Sequence, residues 1–355
     1  MMTLNTEIQS IIKDNVPASI NRKELTAELL SLTYAQNWFN LWVPETYGGR
    51  QSALREGCLL LEELAYLDGG IGWTITLCAG ANMFAGFIDP ALAKTIFRKE
   101  KVCWGGSGRP SGRADKTENG FIITGEWKYA TGAPHLTHFT LNAWIYDNGE
   151  PVCDAQGEPV YHSFFVDRED VLIHYDWDTF GLECTASHSF SLSAVKVPQE
   201  RAFDLRPEKR TNNSPVFYYP FMTFAECTLA VNYMGMFRRF LDLFEKQLLV
   251  KSADPEWVKQ KGKALFKKVD AVRTAFDEKR IRLYALIDAT WDRVEPDAKL
   301  LAEIADLSRA LVSDVRTETT ALFPYTGIAG AQRDNELNMV FRHIFTASQH
   351  ALLNI

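Results

Sequence analysis

The chain contains 355 residues, and at ~150 residues per domain this length is enough for two or three domains with a large buried core. Hydrophobic residues make up 46% and charged residues 23%, which excludes a disordered or collagen-like chain. Acidic residues outnumber basic residues by 45 to 38, and the formal net charge is −7. No basic stripe is visible, so binding of nucleic acid is not expected.

The six cysteines are far apart in the sequence and form no C-x-x-C motif. They are Cys58, Cys78, Cys103, Cys153, Cys184 and Cys227. This spacing predicts neither a disulfide framework nor a thiolate zinc site, and it favours a reducing compartment. Residues 1–15 lack the apolar core of a secretory signal, and the longest apolar stretch, 221–237, is interrupted by Glu226 and Asn232. We therefore expect a cytoplasmic protein with no membrane contact.

Helical signals dominate the first hundred residues. Apolar spacing predicts a helix over 22–38, a break at 43–49 and a second helix over 55–67 that ends at Asp68 and two glycines. Asp89 and Pro90 form an N-cap and first-position pair that begins a further helix.

The sequence changes character near residue 101, where glycines cluster and turn residues begin to separate short alternating segments. Phe190, Leu192 and Ala194 alternate as in a half-buried strand. Five or more such segments without intervening helices predict an antiparallel barrel or sandwich.

Helical spacing returns after about residue 212 and continues to the end. Four long helices with short connections predict an antiparallel bundle. Their approximate bounds are 219–250, 254–292, 296–322 and 334–353.

Two common motifs are tested and rejected. In the glycine-rich segment 105–112, Ser111 occupies the third glycine position of a dinucleotide-binding G-x-G-x-x-G, and Arg109 the second glycine position of a nucleophile elbow. His135 and His138 form an H-x-x-H on an extended segment, where their side chains diverge. No metal site is therefore predicted.

Four longer segments, in this order along the chain, resemble the acyl-CoA dehydrogenase superfamily of flavoproteins. They are VPETYGG (43–49), GEWKYATGAPHLTHF (125–139), FGLECTASHSFSLSAVKVP (180–198) and the last predicted helix, NELNMVFRHIFTASQHALL. The resemblance implies a mainly α fold with a middle β domain and three parts. These are an N-terminal helical domain (1–100), a β-barrel or sandwich domain (101–211) and a C-terminal four-helix bundle (212–355).

Within this superfamily, the last helix favours the flavin-dependent monooxygenase branch. Dehydrogenases commonly place a catalytic glutamate where this chain has Ala351, which cannot accept a proton. His350 precedes it, and a G-x-W-x-aromatic-x-[ST]-G pattern begins at Gly125, both similar to the monooxygenase branch. The resemblance implies that His350 handles a proton while reduced flavin and oxygen hydroxylate an aromatic or polycyclic small molecule.

The resemblance also implies a set of binding residues. The flavin, FAD or alternatively FMN, is expected to lie beside the middle domain, and a glycine pair before the last helix is expected to approach its adenine half across a subunit contact. The cofactor residues are Trp104, Ser107, Tyr129, Thr131, Gly327 and Gly330, and the substrate residues are Arg109 and Ser187. Since each of these also fits an ordinary structural role in a core, turn or solvated loop, both interpretations remain open.

Two further functions are compatible with the sequence. Glu226 lies within an apolar run near the location of the base in some acyl-CoA dehydrogenases, which implies FAD-dependent dehydrogenation of an acyl-CoA thioester as an alternative. The family's R-x-x-F-G motif is missing from 251–280, so a non-catalytic flavin-binding or assembly protein is also considered. The expected partners are a separate flavin reductase and further copies of the chain, in a homodimer or homotetramer.

Overall fold

Five helices form the N-terminal part of the computed structural model, which describes residues 4–293 and 295–353. They are α1 (Thr6–Arg22), α2 (Ala27–Ala35), α3 (Leu54–Leu67), α4 (Gly69–Asn82) and α5 (Pro90–Phe97). The predicted Asp89 cap of α5 is confirmed, because its side chain accepts from Leu92 N. The predicted helix over 22–38 is present as the shorter α2, since Lys23 in the left-handed region ends α1 and Thr26 caps α2.

Eight strands form the middle part, in one sheet with the order β6-β7-β2-β1-β3-β5-β8 and β4 paired to β3. They are β1 (Trp104–Thr117), β2 (Gly120–Ala130), β3 (His138–Asp147), β4 (Glu150–Pro151), β5 (Tyr161–Asp167), β6 (Leu172–Ile173), β7 (His188–Pro198) and β8 (Ala202–Phe203). The predicted purely antiparallel arrangement is wrong at one place, because β1 pairs with β3 in parallel. Periodicity shows which face of a strand is buried but not the direction of its partner.

The C-terminal part is built around one long helix, α6 (Phe221–Lys251), which packs against α3, α4 and the later helices. Its first half is buried on nearly every side, as expected for a central helix. A short helix α7 (Pro255–Trp257) continues through a π turn into α8 (Lys263–Thr290), followed by α9 (Ala298–Leu322) and α10 (Glu336–Ala347). Among the described residues, no helix is long and apolar enough to cross a membrane.

A buried carboxylate joins the N-terminal helices to this bundle. Glu62 on α3 is 1% exposed, and its Oε1 accepts from Arg238 Nη1 (2.6 Å) and Arg280 Nε (2.7 Å). The hydroxyl of Tyr284 donates to the second oxygen at 2.7 Å. A buried charge is tolerated when it is paired and hydrogen-bonded in this way, so Glu62 fixes α3 against α6 and α8.

We expect Glu62→Gln to lower the free energy of unfolding by roughly 3 kcal/mol, because it leaves two arginines facing a neutral group. Urea unfolding measures this change. Glu303→Gln is the matched control: Glu303 pairs with Arg282 on the surface, and its loss is expected to cost less than about 1 kcal/mol. Equal effects of the two substitutions would contradict a structural role for Glu62.

Candidate active site

A bulge near the end of β2 turns one aromatic side chain out of the sheet. The pairing of β2 with β7 shifts register between Trp127 and Ala130, and Tyr129 in this interval has a φ of 67°. Its side chain is 68% exposed and meets the ring of Trp177 edge-on at 6.2 Å. Bulges commonly redirect a side chain next to a functional site, and a non-glycine residue in the left-handed region is strained.

A chain of three buried hydroxyls follows directly after this bulge. Thr131 Oγ1 lies 2.9 Å from Ser187 Oγ, which lies 2.8 Å from Thr185 Oγ1. Gly132 N donates to Thr185 O at 2.8 Å and holds the two segments together. Two of the site residues predicted from the sequence, Thr131 and Ser187, are therefore in direct contact.

The hydroxyl chain has one proton more than its internal bonds use. Three hydroxyls carry three protons, and two are used within the chain. Within residues 4–293 and 295–353, no further protein acceptor bonds to these three groups. Thr185 is 0% exposed and Thr131 is 6% exposed, so the outer end is at Thr131. The chain can thus donate a hydrogen bond to an acceptor that lies over Thr131, such as a flavin heteroatom.

His350 lies beyond the last helix, not on it as predicted. α10 ends at Ala347, and His350 N donates to Ala347 O in the turn that follows. The ring packs edge-on against Trp73 on α4 with centroids 5.6 Å apart. The surrounding protein removes water from the imidazole and so lowers the pKa of His350. Part of the residue is nevertheless exposed to solvent.

Glu226 is buried in the bundle and already has a partner. It is 4% exposed on α6, and its Oε1 accepts from Arg309 Nη2 on α9 at 2.8 Å. Burial raises the pKa of Glu226, and Arg309 opposes this shift. Arg309 also lines a cavity of about 410 Å³ together with Asp306, Arg316 and Leu353.

The other predicted residues lie in several different environments. Trp104 is 0% exposed and stacks on Phe165 at 4.6 Å in the core, which matches its alternative structural role. On the same strand, Ser107 is half-buried and Arg109 is exposed. Gly327 and Gly330 flank a turn before α10. Gly327 is exposed with a φ of 70°, whereas a Cβ on Gly330 would lie 1.9 Å from Thr326 Oγ1.

The prediction missed a buried aspartate–histidine contact at the start of α4. Asp68 caps this helix by accepting from Ile71 N, and its Oδ2 lies 3.4 Å from His343 Nε2. Leu182 N donates to the other ring nitrogen of His343 at 2.8 Å, which directs the ring proton of a neutral imidazole towards Asp68. Burial alone raises the pKa of Asp68, but His343 and the N–H groups of α4 lower it below its ordinary value.

A half-buried ion pair extends this contact. Arg342 bonds to Glu183 and donates to Phe180 O at 2.6 Å, and Glu183 Oε2 lies 3.9 Å from His343 Nδ1. We define Asp68, Glu183, Arg342 and His343 as the junction cluster, since it joins α4, the loop before β7 and α10. His343 is 0% exposed, so its ring lies entirely within the interior.

Comparisons with known proteins agree with this architecture. Residues 4–94 match the acyl-CoA dehydrogenase N-terminal domain family. An indole-3-acetate monooxygenase from Acinetobacter baumannii is 24% identical over 319 residues, covering 88% of this chain and 79% of that protein. A pigment production hydroxylase from Rhodococcus sp. is 25% identical over 332 residues, covering 88% of this chain and 82% of that protein.

Solved structures share the fold over nearly the whole chain. XiaF from Streptomyces sp., solved with FADH2 and glycerol, has a TM-score of 0.83 at 22% identity. The match covers 98% of this chain and 90% of the XiaF chain. The HsaA monooxygenase from M. tuberculosis has a TM-score of 0.83 at 20% identity, and the match covers 98% of this chain and 93% of that chain. The predicted resemblance to the acyl-CoA dehydrogenase superfamily and its monooxygenase branch is confirmed, and so is the predicted fold class.

We expect Asp68→Asn to lower the free energy of unfolding at pH 7 by roughly 1.5–3 kcal/mol, because asparagine keeps the helix cap but removes the charge facing His343. The pKa of Asp68 is lower in the folded than in the unfolded chain. Its contribution is therefore complete above the unfolded pKa of ~3.9 and is lost as pH falls through the folded value.

Urea unfolding of both proteins between pH 7 and pH 3 measures this effect. The difference between them is expected to shrink in acid. Asp89→Asn alters an exposed helix cap on α5 and serves as the matched control, with little change at any pH. A difference for Asp68→Asn that is independent of pH would contradict the assigned role of its charge.

Proposed function

We propose that this acyl-CoA dehydrogenase-like protein is a flavin-dependent monooxygenase that uses reduced flavin and oxygen to hydroxylate an aromatic or polycyclic small molecule. The observation that carries the proposal is the contrast between two groups that can handle protons. Glu226 is ion-paired with Arg309, whereas His350 faces Trp73, pairs with no carboxylate among residues 4–293 and 295–353, and is followed by Ala351. Removal of an α-proton from an acyl thioester requires a free carboxylate, which Glu226 does not provide.

The names of the relatives support the same choice. They include oxygenase subunits and components, among them a p-hydroxyphenylacetate 3-hydroxylase oxygenase component from Acinetobacter baumannii. A structural neighbour, TdsC from Paenibacillus sp., was solved with FMN and indole. We infer that the substrate is likewise a planar aromatic molecule, and that Ser187 and the exposed Arg109 contribute to its binding.

The residues after the β2 bulge fit a flavin. A flavin ring has carbonyl oxygens and ring nitrogens along one edge that accept hydrogen bonds, and the hydroxyl chain has one proton to donate at Thr131. The exposed ring of Tyr129 offers an aromatic surface beside it. When bound, reduced flavin supplies the electrons that activate oxygen. We propose FAD as the cofactor, with FMN as the alternative, and Ser107, Gly327 and Gly330 as further contacts.

His350 is suited to hold and donate a proton at Nε2. Leu352 N lies 3.3 Å from His350 Nδ1, which favours the tautomer with its proton on Nε2. Loss of hydration lowers the pKa of His350, which favours the neutral ring, and a neutral ring donates from Nε2 without adding positive charge to the site. Contact with Trp73 limits the positions of the ring.

The proposal includes partners. No dinucleotide-binding motif is present in the sequence, so we propose that a separate flavin reductase delivers the reduced flavin. All six cysteines are free, as in a reducing compartment, and we place the protein in the cytoplasm.

We also propose a homodimer or homotetramer. Hydrogen bonds from Gln247 and Lys251 hold the end of α6 beside the turn that contains Gly327. Large apolar side chains on these two segments are exposed, namely Leu249, Val250, Tyr325 and Ile328. An apolar surface of this kind is typical of a subunit interface.

We expect His350→Ala to lower the rate of product formation by about 10²–10⁴-fold, the usual contribution of general acid–base catalysis. Oxidation of reduced flavin is expected to continue with greater release of hydrogen peroxide. The measurement combines chemically reduced FAD, oxygen and a panel of indole, indole-3-acetate and p-hydroxyphenylacetate, followed by product and peroxide assays.

Two variants control this experiment. His174→Ala alters an exposed histidine that bonds to Ser191, and Glu226→Gln alters the paired carboxylate; both are expected to retain product formation. Bleaching of bound oxidised FAD by an acyl-CoA, abolished by Glu226→Gln, would instead establish dehydrogenation. Neither hydroxylation nor bleaching in the wild type would indicate a non-catalytic flavin-binding protein.

We expect Thr131→Val to weaken the binding of reduced FAD by roughly 3–10-fold, which corresponds to the loss of one neutral hydrogen bond of about 0.5–1.5 kcal/mol. Thr131→Ser keeps the hydroxyl and is expected to bind with wild-type affinity. Anaerobic fluorescence titration measures both dissociation constants. Equal affinities for the two variants would remove the hydroxyl chain from the flavin site.

A further inference from the structure

Three potential metal ligands converge behind the hydroxyl chain, although the sequence spacing predicts no such group. Cys78 lies on α4, Cys103 directly precedes β1, and His135 lies in the turn between β2 and β3. One ligand atom from each, two sulfurs and an imidazole nitrogen, lie within 4.8 Å of one another.

The residues around these three side chains leave a space between the ligand atoms. Both cysteines are 0% exposed, whereas His135 is half-buried and stacks on the ring of Phe39 at 5.8 Å. Its Nε2 is buried, and no group among the described residues hydrogen bonds to it. A Cβ at Gly132, which has a φ of 78°, would lie 2.6 Å from this nitrogen and 3.2 Å from Cys78 Sγ. Glycine at this position therefore keeps the space beside both ligand atoms open.

Coordination requires both cysteines as thiolates. Burial raises the pKa of Cys78, but the neighbouring Cys103 thiol and His135 ring outweigh this effect and lower it to about 6. Burial and the neighbouring Cys78 raise the pKa of the Cys103 thiol. A bound cation stabilises both thiolates, so its binding releases thiol protons to solvent.

We propose that Cys78, Cys103 and His135 form a binding site for a thiophilic d10 cation, Zn²⁺ or Cu⁺. Two thiolates and an imidazole are the donors that these ions prefer. Ligand bonds of ~2.3 Å for sulfur and ~2.0 Å for nitrogen place neighbouring ligand atoms of a tetrahedral centre about 3.5–3.8 Å apart. The three atoms lie within 4.8 Å of one another, so they must approach by at most about 1 Å to reach this geometry. The half-buried side of His135 provides the route of entry.

The position of the site gives it a structural consequence. Cys78 Sγ contacts Thr131 O at 3.7 Å, and the backbone of Cys103 is hydrogen-bonded to Thr137 through both its N and its O. A cation at this point therefore links α4 to both ends of the β2–β3 turn, directly behind the Thr131 hydroxyl. The cation stabilises the segment that carries Thr131 in the proposed flavin site and takes no part in the reaction.

The test uses the full chain, reduced, treated with a chelator and then titrated anaerobically with Co²⁺ as a spectroscopic probe. We expect one equivalent of Co²⁺ to produce thiolate-to-cobalt charge-transfer absorption and the intense visible bands of a tetrahedral centre. Zn²⁺ is expected to displace the cobalt and to raise the melting temperature. Binding of Cu⁺ is measured by competition with a colorimetric Cu⁺ chelator. None of these measurements depends on flavin or on enzymatic activity.

Variants assign the signal to the three residues. Cys78→Ser, Cys103→Ser and His135→Ala are expected to lose the charge-transfer band or the tetrahedral spectrum. Cys58→Ser, which alters another fully buried cysteine outside the site, is expected to keep both. Because His135 is half-buried, His135→Ala is the variant expected to fold normally, as checked by circular dichroism.

Three results would each overturn the proposal. The first is wild-type protein that binds none of the three cations with one-to-one stoichiometry. The second is an unchanged cobalt spectrum in correctly folded His135→Ala. The third is a Cys78–Cys103 disulfide, found by mass spectrometry in the protein as isolated without added oxidant.

Discussion

The buried carboxylate of Asp68 is the constraint on which the arrangement of the molecule depends. A charge removed from water needs a partner, and the partner of Asp68 is His343, on the last helix. The same imidazole is held by the backbone of Leu182 in the loop before β7. The N-terminal helices, the loop before β7 and the last helix therefore meet at this contact. Glu62 supplies a second fixed point between the first helices and the bundle.

The candidate site inherits its geometry from this arrangement. α4 begins at the junction cluster and carries first Trp73, which contacts His350, and then Cys78, which lies behind Thr131. The loop before β7 contributes Ser187 to the hydroxyl chain. The groups for proton handling, for hydrogen bonding to a flavin and for the proposed metal site thus all contact or lie on the same helix, α4. Such support from packed elements is what keeps a site in its productive geometry.

The sequence predicts those features that depend on local signals and predicts poorly those that depend on distant residues. The N-cap of α5 at Asp89, the change to strands near residue 101 and the helices of the bundle follow from spacing and capping, and they are observed. The parallel pairing of β1 with β3 was not predicted, because alternation carries no information on strand direction.

Site residues show the same division. Thr131 and Ser187 were named from the resemblance, but their mutual hydrogen bond depends on a bulge that periodicity does not reveal. The burial of His343 and the convergence of Cys78 with Cys103 were missed because each depends on residues distant in the sequence. Long-range pairing of this kind also bears on how the chain folds during synthesis. Asp68 leaves the ribosome long before His343. Until the last helix emerges, the N-terminal helices therefore lack the partners of a charged group and of part of their apolar surface. Completion of the native core is therefore a late event, and a nascent chain that stalls before α10 presents chaperones and proteases with an unfinished interior.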